Sequence, residues 1–157
     1  MRLVDILAED RVDIARDLPE KGSALAEMAR LLTRGIPSGD ESKVLEVLRE
    51  REALQSTGIG DGVAIPHGFL NELTMQVAAL LIVPNGVPFD AIDARPATIV
   101  VGVVGPRRGA HAQLEHLKIL AQISKALRQP MLRERILSAA SAGEAYDVIR
   151  SAEAQVS

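Results

Sequence analysis

The side chains best suited to nucleophilic or proton-transfer chemistry near neutral pH are His67, His111 and His116, because the sequence contains no cysteine. His67 has the most informative setting. It closes the segment from Ser56 to Gly68, STGIGDGVAIPHG, in which three glycines and a short apolar strand lead to Pro66, His67 and Gly68. A proline fixes the backbone before the histidine and a glycine after it leaves room. This predicts an imidazole at a strand exit, in a shallow and accessible position beside free backbone N–H groups. Such a position suits an anionic adduct. A neutral imidazole nitrogen is a competent nucleophile, and its phosphoryl adduct stays reactive enough for onward transfer, which a serine phosphate does not. Phosphoryl transfer requires positioning and charge stabilisation, so an arginine fork, a second imidazole N–H and backbone amides are adequate partners.

Other chemistries fit these residues less well. His111 and His116 are five positions apart, about 140° around a helix at roughly 100° per residue, so they do not share a face. The HExxH pattern of a zinc hydrolase is missing, and no metal site is expected. The GIGDG turn is followed by an apolar strand and a proline rather than a helix, and no GK[ST] follows, so neither a nucleotide nor another cofactor is expected. His111 reads as a surface residue at a helix start. Arg107 and Arg108 in GPRRGAH are a solvated loop pair or part of a docking surface.

Composition narrows the class further. The 157 residues are 47% hydrophobic and 25% charged, which is globular, and a chain of this length buries roughly two thirds of its unfolded surface. One domain spanning 1–157 is expected. No apolar run approaches the roughly 20 residues of a membrane span, and acids directly follow the short apolar start, so neither membrane insertion nor export is expected. A cytoplasmic location follows from these and from the missing cysteines. With 18 basic against 21 acidic residues, a net charge of -3 and only three aromatic residues, nucleic acid is not the expected partner.

The elements that must position His67 can be read from periodicity. Leu25, Met28, Ala29, Leu31 and Leu32 follow a helical repeat after Ser23, a candidate N-cap with Glu27 near the capping-box position. TRGIPSG ends that helix. ESKVLEVLREREAL at 41–54 then predicts a second, with Val44, Leu45, Leu48 and Leu54 on one stripe. Strands are predicted at Val63–Ile65, Val77–Val83 and Ala97–Val104, the last two as continuous apolar runs suited to central strands covered on both faces. The turn-rich segment at 84–96 joins those two runs. Helices return at Ala112–Arg128, then after Pro130 at Met131–Ala140 and Glu144–Ser151. A layered α/β domain is the consistent reading.

At this point the residues carry a resemblance. STGIGDGVAIPHG resembles the signature around the phosphorylated histidine of the fructose, mannitol and nitrogen-regulatory enzyme IIA family of the phosphotransferase system. The likeness extends upstream through LREREALQ at 48–55 and downstream to EHLKILAQISKAL at 115–127, and covers nearly the whole chain. It implies a mixed β-sheet flanked by helices in a single α/β domain. It also implies that His67 is the phosphoryl acceptor, His116 the second active-site histidine, and Arg51 an arginine near the acceptor. Thr57 lies in the same motif and, with Gly68, is assigned to the phosphoryl-binding lining. Asp61 occupies a position that holds glutamate or asparagine in relatives. It either orients Arg51 or terminates a turn, and beside a phosphoryl group it must point away or be paired with a cation.

The resemblance implies a phosphocarrier that accepts its group from the histidine phosphocarrier protein without ATP or metal. Nitrogen-type members act mainly as regulators, whereas sugar-specific members donate to an enzyme IIB. The lack of an attached IIB or transporter segment favours the stand-alone regulatory type. The alternatives are a fructose- or mannitol-type protein serving a separate IIB, and a binding module that controls a target by contact without transfer. Phosphorylation adds about 1.5 to 2 negative charges, enough to switch a protein interface, so transfer and regulation by contact can coexist.

Overall fold

The computed structural model describes residues 1–37 and 39–156, with side chains to residue 154. Ser38 and Ser157, which fall within the expected span, lie outside the described residues. The helices are α1 (Leu3–Ile6), α2 (Lys21–Thr33), α3 (Glu41–Leu54), α4 (Ala110–Leu127), α5 (Pro130–Leu137) and α6 (Ala142–Val156). The strands are β1 (Val12–Ile14), β2 (Gly58–Gly60), β3 (Val63–Ala64), β4 (His67–Leu70), β5 (Val77–Val87) and β6 (Ala97–Pro106). They form one mixed sheet in the order β1-β5-β6-β3-β2, with β4 also paired to β6. β5 and β6 are antiparallel, while β1 runs parallel to β5 and both β3 and β4 run parallel to β6.

The two apolar runs are central because the sheet is covered on both faces, and their alternation sorts the core into two layers. Ala79, Leu81, Val83, Val100 and Val104 pack with α2 and α3. Ala78, Leu80, Ile82, Ile99, Val101 and Val103 pack instead with α1, α4, α5 and α6. Gly102 belongs to the first face, where a Cβ would overlap Met28 of α2.

β3 and β4 lie in line along the same side of β6, from Val63 opposite Ile99 to Leu70 opposite Pro106. Pro66 separates them. It has no N–H to give to the ladder, although its carbonyl still accepts from Val103 N. His67 is therefore the first residue of a second strand and not merely the exit of the first. The side-chain alternation of that strand sends His67 and Phe69 toward α4, and Gly68 and Leu70 toward α3.

The structure corrects two helix readings. Lys21 is the first residue of α2, with Glu20 at the N-cap position, while Ser23 lies inside the helix and Glu27 pairs with Arg30. Tertiary contacts hold that extra turn: Lys21 Nζ lies 3.0 Å from Glu52 Oε1 and 2.8 Å from Asp90 Oδ2. On α3, Leu54 is 82% exposed, because the buried line runs through Val44 and Leu48 to Glu52. No side chain caps α2, whereas α3 is capped by the Asp40 carboxylate, which accepts from Ser42 N and Lys43 N. The break at Pro130 is a new helix start, with the proline in the first turn where its missing N–H is harmless.

Candidate functional site

His67 is half-buried at the start of β4. Its Nδ1 lies 2.8 Å from the carbonyl oxygen of Ile65. A carbonyl can only accept, so Nδ1 carries the hydrogen and Nε2 keeps a free lone pair. Burial is the main influence that pushes His67 below the usual imidazole range. The Ile65 hydrogen bond and the Glu52 carboxylate oppose this, and the positive charge of Arg51 adds to it. The ring is thereby kept neutral, as a nucleophile must be.

His116, on α4, is 1% exposed, and its ring centroid lies 5.7 Å from that of His67. Its Nδ1 lies 2.8 Å from Oε1 of Gln76, and its buried Nε2 has no partner. Phe69 covers the ring at a centroid distance of 4.5 Å. Burial, with a smaller contribution from His67, lowers its pKa to about 4.

Arg51 is in the last turn of α3, where its Nη1 donates to the carbonyl of Gln55 at 2.8 Å. Its positive charge acts on His67, and the structure brings His67 and His116 together as ring neighbours. Thr57 occupies a different environment. It is buried, its backbone N–H and hydroxyl both bind the Glu52 carboxylate, and Glu52 is in turn paired with Lys21. Gly68 faces away from His67: a Cβ there would overlap Val47 of α3, so the glycine sets the distance between α3 and β4.

Asp61 is not with Arg51. It has a left-handed φ of 59° in the turn between β2 and β3, its N–H donates to Asp93 Oδ2 at 2.9 Å, and its carboxylate lies 3.5 Å from Arg95. Of its two readings the structure takes turn termination, with the carboxylate paired to a cation. His111 is exposed near the start of α4, 3.0 Å from Glu115. No cluster of three metal-ligating side chains occurs among the described residues, and none of the described helices is long and apolar enough to cross a membrane.

Gln76, Phe69, Glu52 and Lys21 escaped the sequence reading. A polar residue just before an apolar run, as Gln76 is before VAALLIV, reads as part of a turn. The one signal was Glu52 itself, a charge at the i+4 position after Val44 and Leu48 on an otherwise apolar stripe.

A half-buried neutral histidine packs beside a second, buried histidine and feels the charge of an arginine, on a mixed sheet between two helical layers. The chain belongs to the family described as phosphoenolpyruvate-dependent sugar phosphotransferase system, EIIA 2, whose model matches residues 5–152. A nitrogen regulatory protein of Pseudomonas aeruginosa is 33% identical over 149 residues, covering 95% of both chains. The fructose-specific EIIABC component of Bacillus subtilis is 28% identical over 95% of this chain but only 23% of its own length. The crystal structure of nitrogen regulatory protein IIA-Ntr from Neisseria meningitidis superposes with a TM-score of 0.84 at 29% identity, covering 93% of this chain and 97% of that one. IIA mannitol from Escherichia coli shares the fold at a TM-score of 0.72 and 21% identity, over 90% of this chain and 97% of its own.

Proposed function

We propose that this chain, over 1–157, is a cytoplasmic phosphocarrier domain that accepts a phosphoryl group on His67 Nε2 from the histidine phosphocarrier protein and acts in regulation. The observation that carries this is the bond from His67 Nδ1 to Ile65 O, which leaves the Nε2 lone pair free on a half-buried neutral ring. In the transfer the electron pair of the donor N–P bond returns to the donor imidazole, which keeps its ring proton. The His67 Nε2 lone pair forms the new N–P bond, and the proton on Nδ1 stays in its hydrogen bond to the Ile65 carbonyl. Arg51 is the cation that balances the incoming charge, a role supported by the action of its charge on His67, while Glu52 and Lys21 hold Thr57.

The regulatory assignment is supported by the nitrogen regulatory relative, which matches over 95% of its own length. A sugar-specific role is the second reading. It is favoured by the fructose- and mannitol-specific relatives, and by a structural neighbour solved as a complex of enzyme IIA mannitol with phosphorylated enzyme IIB mannitol.

The test is labelling by the phosphorylated carrier protein, followed by phosphohistidine mapping under alkaline conditions. One acid-labile phosphoryl group is expected on His67. His67→Ala should abolish it, His111→Ala should leave it intact, and Arg51→Ala should slow it under single-turnover conditions. Full labelling of His67→Ala would overturn His67 as the acceptor, no labelling of the wild type would leave a contact-only binding module as the better reading, and subsequent loss of the label to an added IIB would favour the sugar-specific one.

A further inference from the structure

Gln76 is 2% exposed and its two amide ends are committed to different groups. Its Nε2 donates to the carbonyl of Ala112 at 3.1 Å, which turns Oε1 toward His116 Nδ1 at 2.8 Å. An amide oxygen only accepts, so His116 carries its hydrogen on Nδ1 and its Nε2 is a bare lone pair. Turning the amide over would set its oxygen against the Ala112 carbonyl. Space for the amide comes from Gly105 on β6, where a Cβ would overlap the Gln76 side chain. The bare Nε2 is buried and unpartnered on a ring that packs against His67.

A dianionic phosphoryl group on His67 presents only acceptor oxygens, so a lone pair facing it would repel it unless a proton lies between them. His116 cannot supply that proton by changing tautomer, because Nδ1 would then present a lone pair to the Gln76 oxygen. We propose that Gln76 is a positioning residue that locks His116 in the Nδ1–H form, so that His116 takes up a proton at Nε2 as His67 gains its phosphoryl group. The proposal rests on the phosphocarrier reading above. The proton comes from solvent; the N–P bond changes are those already described.

The surroundings agree with a charge that appears only on phosphorylation. Before it, burial and the neighbouring His67 hold His116 neutral, with a pKa of about 4. His67 is the titratable group facing it from β4, and Arg51 and Glu52 of α3 act in turn on His67. Phe69 and Gln76 are uncharged, Arg107 reaches the Phe69 carbonyl at 3.2 Å, and Glu115 on the same helix is engaged by His111. The new negative charge on His67 reverses the balance in favour of the imidazolium.

Nitrogen NMR of protein labelled at the histidine rings tests this directly. In the unphosphorylated wild type, His116 Nδ1 is expected protonated and Nε2 bare; after labelling by the phosphorylated carrier, both nitrogens are expected protonated at about pH 7.5, roughly one unit above the ordinary imidazole value. The Gln76 amide, with its donor on Ala112 and its acceptor on His116, is expected to hold the unphosphorylated tautomer. Gln76→Met should release it, and phosphorylation should slow by roughly ten- to a hundredfold, the range for a lost hydrogen bond to a charged group. Gly105→Ala should reproduce the Gln76→Met spectrum by displacing the amide. His116 found protonated on Nε2 in the unphosphorylated wild type, or neutral beside a labelled His67, overturns the proposal alone. If His67 takes no phosphoryl group from the carrier, the phosphocarrier reading falls and takes this proposal with it. The wild-type spectra decide the matter even if a variant fails to fold.

Discussion

At the scale of single residues two imidazoles are held neutral, the buried His116 and the half-buried His67, and this has a measurable consequence for stability. His116 titrates at about 4 when folded against an ordinary value of 6.5, so between those values the unfolded chain binds the extra proton. Stability therefore rises with pH through that window, is complete above about 6.5, and is lost as pH falls toward 4. A tenfold difference in proton affinity between the folded and unfolded chain corresponds to about 1.4 kcal/mol. Burial lowers the pKa of His67 in the same direction. We expect the urea midpoint of the unphosphorylated protein to fall on acidification from about pH 7 to about pH 4.5, and His116→Gln to flatten that slope, leaving the part due to His67. An unchanged slope in His116→Gln would mean that His116 is not held neutral by its burial.

At the scale of elements, β4 connects the chemistry to the core. Alternate residues along it face opposite layers, His67 and Phe69 toward α4 and Gly68 toward α3, so His67 cannot shift without disturbing a helix on each side. Gly68→Ala would drive its Cβ into Val47, and overpacking of this kind costs about 1 to 3 kcal/mol. The double variant Gly68→Ala with Val47→Ala restores the space and should recover most of that loss in chemical denaturation. A Gly68→Ala protein as stable as wild type would show that α3 yields freely and does not fix β4. Glu52 works across the same boundary, since it ends the buried face of α3 and holds both Thr57 and Lys21.

At the scale of the whole molecule the N-terminal segment is tied to the last helix. The Glu153 carboxylate on α6 accepts from Leu3 N at 2.8 Å and Val4 N at 2.6 Å, which supplies partners for the first turn of α1, a helix too short to persist alone. Arg11 closes the same corner through the carbonyls of Ile6 and Ala78. Glu153→Ala should cost roughly 1 kcal/mol, as loss of a helix cap does. Amide hydrogen exchange should quicken at Leu3 and Val4 while β6 stays protected. Uniformly faster exchange would instead mark the contact as part of the global fold.

Features that repeat along the chain, or whose chemistry is local, were legible without the fold. Apolar periodicity located α2 to α6 and the two long central strands, because each buries a face whose repeat is written along the chain. The AIPHG segment singled out His67 because a proline before and a glycine after it act on the backbone locally. The short strands β1, β2 and β4 were not legible, since three or four residues carry no measurable period and exist only through pairing with β5, β3 or β6. The start of α2 was misplaced for a related reason: its first turn is held by Glu52 and Asp90, distant in the chain. Asp61 and Arg51 could be matched in sequence, yet only the fold gave Asp61 to Arg95. The contacts of Gln76 were invisible in the sequence because they lie in which atom faces which. The bonds to Ala112 and His116 that orient it join residues 36 and 40 positions away, and a tautomer is set by such three-dimensional hydrogen bonds and not by residue type.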